Sequence, residues 1–203
     1  MQQVLSIHGG GEFIGYSRDA FLKEIKNKEI TLDRLRSKQS WRGNLQKTLG
    51  HEYDVLSPRM PFKDAPRYIE WKAVFENIIP LIDDGVILLG HSLGGLFLMK
   101  YLAEETIPKK IRGFFSVAAP HIDKEHPRYK DSEFVLPDNL DNIATQVDSL
   151  FLYHSTDDPV VPYEHLTRYV ERLPKATVRT FDDRHHFIGE NFPEVIADIK
   201  SVT

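Results

Sequence analysis

The segment Gly90-His91-Ser92-Leu93-Gly94-Gly95 places a serine two residues from a glycine on either side. A serine hydroxyl becomes a useful nucleophile only when a base takes its proton. Glycines at these offsets allow the sharp strand-to-helix turn that lifts such a hydroxyl clear of the chain. With 12 glycines and 11 serines in 203 residues, the pattern is expected about 0.04 times by chance. It is therefore read as a nucleophile turn with Ser92 as the attacking group. The bland alternative is a glycine-rich turn whose serine merely caps a helix.

A nucleophilic serine needs a base, and the base needs an orienting acid, in the chain order serine, acid, histidine. Two short clusters supply them: Asp157-Asp158-Pro159-Val160-Val161-Pro162 and Arg184-His185-His186-Phe187. Each cluster holds two candidates. Pro159 keeps the residue before it extended, which favours Asp158 over Asp157 as the orienter. Phe187 would wedge its neighbour in place, which favours His186 over His185 as the base. A histidine base predicts activity that falls as the pH drops through about 6 to 7.

The tetrahedral intermediate carries a negative oxygen, and two backbone N–H groups must meet it. The first is expected from Leu93, directly after the serine. The second is expected from the loop His8-Gly9-Gly10-Gly11, with Gly10 as the choice and Gly11 next. This loop does not extend to a dinucleotide fingerprint, because Ile14 occupies the final glycine position, and it lacks the lysine of a phosphate loop. The remaining histidines have no metal-ligand spacing, so neither a metal nor a cofactor is expected. His91 is expected to shape the turn without titrating, and Trp41 and Trp71 to serve in packing.

These groups lie far apart in the chain, and the elements between them must bring them together. Short apolar runs bounded by turn residues predict strands at Val4–His8, Tyr53–Leu56, Val86–Leu89, Gly113–Ala118, Ser149–His154 and Ala176–Phe181. Such runs suit strands buried on both faces. Helical patterns fill the gaps: Ser17–Ser37 (broken somewhere inside), Pro66–Ile82, Leu96–Glu105, Tyr163–Leu173 and Pro193–Val202. In the second of these, Ile69, Val74, Phe75 and Ile78 are expected to form the apolar face. The alternation predicts an α/β fold, a doubly wound, mostly parallel six-stranded sheet with helices on both faces. The candidates then fall at the carboxyl ends of strands, where ligands bind in open α/β sheets.

Length and composition fit one domain over residues 1–203. The polar stretch at about 121–146 is too long for an ordinary connection and is expected to be a lid-like insertion. Its Phe134, Val135 and Leu136 are expected to line an acyl pocket. The net charge of -4 leaves no basic footprint, so neither nucleic acid nor a membrane is expected as a partner. With no cysteine, thiolate catalysis, disulfides and cysteine zinc sites are excluded. No signal segment or long apolar run is evident, and a cytoplasmic location is expected.

The His-Gly loop, Gly-His-Ser-Leu-Gly-Gly, Asp-Asp-Pro-Val-Val-Pro and His-Phe together resemble the α/β-hydrolase superfamily. More closely, the chain is similar to small serine hydrolases related to retinoblastoma-binding protein. That match is carried by Ser155-Thr156-Asp157-Asp158-Pro159, by His186-Phe187, and by Asp138, Leu140 and Ile143. The resemblance implies a compact α/β-hydrolase fold with a triad on Ser92, Asp158 and His186. Two features depart from it, the Gly9-Gly10-Gly11 run and the long charged stretch from Asp19 to Gln46. Both flank the expected site, so the resemblance speaks to mechanism more than to substrate.

The expected function is hydrolysis of a small carboxylic ester through an acyl-enzyme on Ser92, with a small-molecule acyl substrate as partner. The same triad would serve a thioester, lactone or peptide. A protein-interaction module that keeps the fold is the reading from a different class.

Overall fold

The computed structural model describes residues 1–11, 18–27, 29, 32, 39–125 and 132–203. Six strands form one sheet: β1 (Gln2–Ile7), β2 (Tyr53–Leu56), β3 (Val86–His91), β4 (Ile111–Val117), β5 (Leu150–Ser155) and β6 (Thr177–Phe181). Their order is β2-β1-β3-β4-β5-β6, and every neighbouring pair is parallel. From β1 the chain steps to one side to make β2, then returns to the other side to make β3. A crevice opens at the carboxyl ends of β1 and β3, where this direction reverses.

The helices are α1 (Arg18–Asn27), α2 (Leu45–Leu49), α3 (Tyr68–Ile78), α4 (Leu93–Glu104), α5 (Asp141–Gln146), α6 (Glu164–Arg172) and α7 (Pro193–Ser201). Alternate strand residues point to opposite faces, which divides the core in two. Leu5, Ile7, Leu88 and Phe114 pack against Trp71, Phe75 and Phe97 on one face. Val4, Ile87, Leu89 and Phe115 pack with Trp41, Phe192 and Val195 on the other. Both tryptophans are buried packing residues, at 4% and 0% exposure for Trp41 and Trp71. No helix among the described residues is long and apolar enough to cross a membrane.

Three sequence expectations are corrected in detail. The strand β6 is not buried on both faces; four of its five residues are exposed, because it is an edge strand with a single neighbour. In α3 the buried face is Tyr68, Trp71 and Phe75, spaced three and four apart, while Ile69 faces solvent at 57% exposure. The short helices α2 and α5 escaped the periodicity argument because neither is long enough to display a helical repeat. In the charged helix pattern starting at residue 17, α1 is described, while Leu35 lies outside the described residues.

The stretch between β4 and β5 is attached to α4. Asn142 Nδ2 and Gln146 Nε2 both donate to the carbonyls of Leu102 and Glu105, meeting the open carbonyls of the helix end. Lys100 Nζ donates to the Val135 carbonyl at 2.7 Å. Phe134 sits edge-on against Trp71 and Tyr68. The underside of this segment is thereby part of the core. Residues 126–131 lie outside the described residues.

Candidate active site

The turn between β3 and α4 places Ser92 at φ 54° and ψ -124°, a backbone region that residues with side chains seldom occupy. The strain is held by close packing on both sides of the turn. A Cβ on Gly90 would lie 2.6 Å from Gly95 Cα, and one on Gly94 would lie 2.6 Å from the His8 carbonyl oxygen. Only glycine lets α4 start this close to the ends of β1 and β3. The Ser92 N–H donates to the Val117 carbonyl at 2.8 Å, tying the turn to β4.

His186 Nε2 lies 3.0 Å from Ser92 Oγ, and His186 Nδ1 lies 2.8 Å from Asp158 Oδ2. The Asp158 side chain is fully buried, and its other oxygen accepts the N–H groups of Val160 (2.8 Å) and Val161 (3.0 Å). Burial alone would raise the pKa of this carboxyl. The hydrogen bonds from His186, Val161 and Val160 outweigh it and hold Asp158 below the usual carboxylate range. The alternative candidates form a separate pair. Asp157 Oδ2 meets His185 Nδ1 at 2.8 Å, and Asp157 Oδ1 accepts from Ser155 Oγ and the His185 N–H. The His185 side chain is 66% exposed, so this outer pair fastens the loop at the surface.

The histidine loop is held unusually firmly. His185 and Phe187 both adopt positive φ, at 48° and 51°, on either side of His186. Phe187 is buried against Phe181 and Phe192. Trp41 Nε1 donates to the Phe187 carbonyl at 2.7 Å, and His91 Nε2–H donates to the His186 carbonyl at 2.9 Å. Reading the chain did not find the Trp41 contact, because 146 residues separate the partners. For His91, adjacency to the serine was the available signal, and it suggested a shaping role only.

The other side of the crevice is the loop after β1. The Met60 N–H donates to His8 Nε2 at 2.9 Å, so Nδ1 carries the proton and donates to the Gly9 carbonyl. The Gly11 N–H is engaged by the Lys63 carbonyl. The N–H of Gly10 has no such partner among the described residues, and a Cβ there would lie 2.8 Å from both Leu93 Cδ2 and the Lys63 carbonyl oxygen. Gly10, Ser92, Leu93, Phe134, Val160 and Val161 line one small cavity of about 90 Å³. Of the expected acyl-pocket residues, Phe134 is in this lining, whereas Leu136 is buried in the core and Val135 packs against it. Among the described residues no group of three or more histidine, aspartate or glutamate side chains is placed to hold a metal.

Besides His186, three histidines near this end of the sheet are buried, His91, His121 and His154. Burial pushes His91 down to about 3 and His121 down to about 4, and it lowers His154 as well. In the unfolded chain all three titrate near 6.5. Below that pH the unfolded state binds protons that the folded state refuses, so stability is full above about 6.5 and falls with acidification. The melting temperature is accordingly expected to drop between pH 7 and pH 5, where Asp158 stays ionised. Thermal unfolding followed by circular dichroism at pH 7, 6 and 5 checks this, and an unchanged transition would contradict it.

Comparison with known proteins bears on this geometry. The model of the serine hydrolase family matches residues 34–192. Serine hydrolase RBBP9 of Rattus norvegicus is 27% identical over 164 residues, covering 80% of this chain and 86% of the relative. The ydeN gene product of B. subtilis superposes over 100% of this chain and 98% of its own, with a TM-score of 0.76 and 17% identity. The methylesterase protein MES16 from Arabidopsis does so over 99% and 98%, with a TM-score of 0.59 and 11% identity.

Proposed function

The chain belongs to the serine hydrolase family, and from that premise we propose that it hydrolyses small carboxylic esters through an acyl-enzyme on Ser92. The observation that carries this reading is His186 bridging Ser92 Oγ at 3.0 Å and Asp158 Oδ2 at 2.8 Å. His186 Nε2 takes the proton from Ser92 Oγ as that oxygen forms a bond to the ester carbonyl carbon. The carbonyl π pair moves onto oxygen, between the N–H groups of Leu93 and Gly10. As the tetrahedral intermediate collapses, the bond to the leaving alcohol breaks, and His186 Nε2–H protonates that alcohol. Water repeats the sequence on the acyl-enzyme and releases the acid. Asp158 keeps the His186 proton on Nδ1 and stabilises the imidazolium.

The cavity of about 90 Å³ beside Ser92 supports a short acyl group. Its lining of Leu93, Phe134, Val160 and Val161 supports an apolar one. The name of the structural relative MES16, a methylesterase, agrees with oxygen esters as the class.

A fluorophosphonate probe tests the reading. The folded protein is expected to take one adduct, which peptide mass spectrometry places on Ser92. Folded protein that stays unlabelled would overturn the hydrolytic reading in favour of a binding module.

A further inference from the structure

A second cleft, of about 910 Å³, reaches Gly9 and His91, the neighbours of Ser92, and shares no lining residue with the small cavity. Its wall includes His8, Gly9, Arg42, Arg59, Lys63 and His91. Gly9 brings it against the catalytic turn, since a Cβ there would lie 3.1 Å from Ser92 Cβ. The cleft is rich in positive charge. Lys63 is paired with Asp64 at 2.8 Å, whereas no acidic side chain among the described residues pairs with Arg42. Among the described residues no carboxylate or carbonyl accepts a hydrogen bond from Arg42, and its Nε is buried without a partner. Burial accordingly lowers the pKa of Arg42.

A partly buried cation without a counter-ion is costly, and folded proteins supply one from within or take it from a ligand. Arg42 is also placed firmly, because the preceding Trp41 is buried and bonded to the histidine loop. A guanidinium fork matches one carboxylate bidentately, with balanced charge. A phosphate monoester, with a charge of about -1.5 to -2, calls for a second cation. Arg59, the other arginine of the wall, is fixed by no hydrogen bond among the described residues, whereas a carboxylate needs Arg42 alone.

We propose that Arg42 binds a carboxylate on the leaving half of the substrate, which makes the enzyme selective for esters of carboxylate-bearing alcohols or phenols. This rests on the acyl-enzyme reading above. With the acyl group in the small cavity at Leu93 and Phe134, the alcohol half has the Arg42 cleft to occupy.

The test compares butyrate esters of 4-hydroxyphenylacetate and 4-hydroxyphenylacetamide, whose methylene keeps the two leaving groups alike in acidity. Wild-type kcat/KM is expected to be about 10- to 100-fold higher for the carboxylate ester, mainly through KM. Arg42→Gln is expected to bring the ratio near one, and Arg42→Lys to keep part of it. Circular dichroism establishes that each variant is folded, and Arg42→Lys carries the comparison if Arg42→Gln is not. Equal rates for the two esters in wild type, or a ratio that survives Arg42→Gln, would overturn the proposal. So would an Arg42-dependent preference for a carboxylate on the acyl half, tested with a succinate monoester.

A second arm needs no turnover. The Ser92→Ala protein should bind 4-hydroxyphenylacetate in calorimetry, and the additional change Arg42→Gln should weaken that binding about 10-fold or more. Such binding without hydrolysis of either ester would sink the hydrolytic reading and leave the carboxylate site standing. Hydrolysis of both esters without selectivity would do the reverse.

Discussion

Exchange of Ser92 for alanine is expected to lower the turnover of a short-chain nitrophenyl ester by about 10⁴- to 10⁶-fold and to abolish fluorophosphonate labelling. Alanine removes Oγ, the atom 3.0 Å from His186 Nε2, and so removes the bond-forming group itself. The residual rate would come from the Leu93 and Gly10 amides acting on a bound ester. The fold should survive, because the serine side chain is bonded to His186 alone among the described residues, while the Ser92 N–H bond to Val117 is retained. Turnover within about tenfold of wild type in folded, pure Ser92→Ala protein would mean that another group performs the chemistry.

The second large effect separates the two aspartates. Asp158→Asn is expected to lower kcat by about 10³- to 10⁴-fold, whereas Asp157→Asn should stay within about tenfold of wild type. The reason lies in what surrounds Asp158. One of its oxygens accepts two backbone N–H groups, from Val160 and Val161. An asparagine must turn its own oxygen toward those donors, which aims its NH₂ at His186 Nδ1. That nitrogen then has to accept, the imidazole proton moves to Nε2, and the lone pair that should take the serine proton is gone. Asp157 faces His185 and Ser155 instead, so its loss loosens the outside of the loop and leaves the tautomer of His186 alone. Steady-state kinetics on the two variants, with circular dichroism to establish folding, makes the comparison. Equal losses would contradict this division of labour.

Much of the fold was legible because its signals are local. The strand β3 reads as a continuous apolar run since parallel strands are buried on both faces, and Val86–His91 is buried throughout. The edge strand β6 carries Thr177, Arg179 and Thr180, and no property of that segment alone says that it has only one neighbour. One residue of the α3 face was misassigned for a related reason: Val74, Phe75 and Ile78 pack on the core as expected, and Ile69 does not. Ile69, Trp71 and Phe75 are all apolar, and which of them meets the sheet depends on how the helix is rotated against Phe97 and Phe134.

The sequence by itself determined the glycine-flanked turn that carries Ser92, the chain order of Ser92, Asp158 and His186, and the strand ends on which they stand. Those follow from spacing and from glycine's small size, which are properties of adjacent residues. Tertiary structure decided the rest. Asp158 differs from Asp157, and His186 from His185, in which of them turns inward toward β3. Gly10 differs from Gly11 because the Lys63 carbonyl, 52 positions along the chain from Gly11, engages one amide and not the other. Trp41 steadies the histidine loop because its indole reaches the Phe187 carbonyl across the fold, and Arg42 beside it meets no counter-charge among the described residues. Hydrogen-bond partners and burial are set by distances in space, and adjacency in the chain carries no record of them.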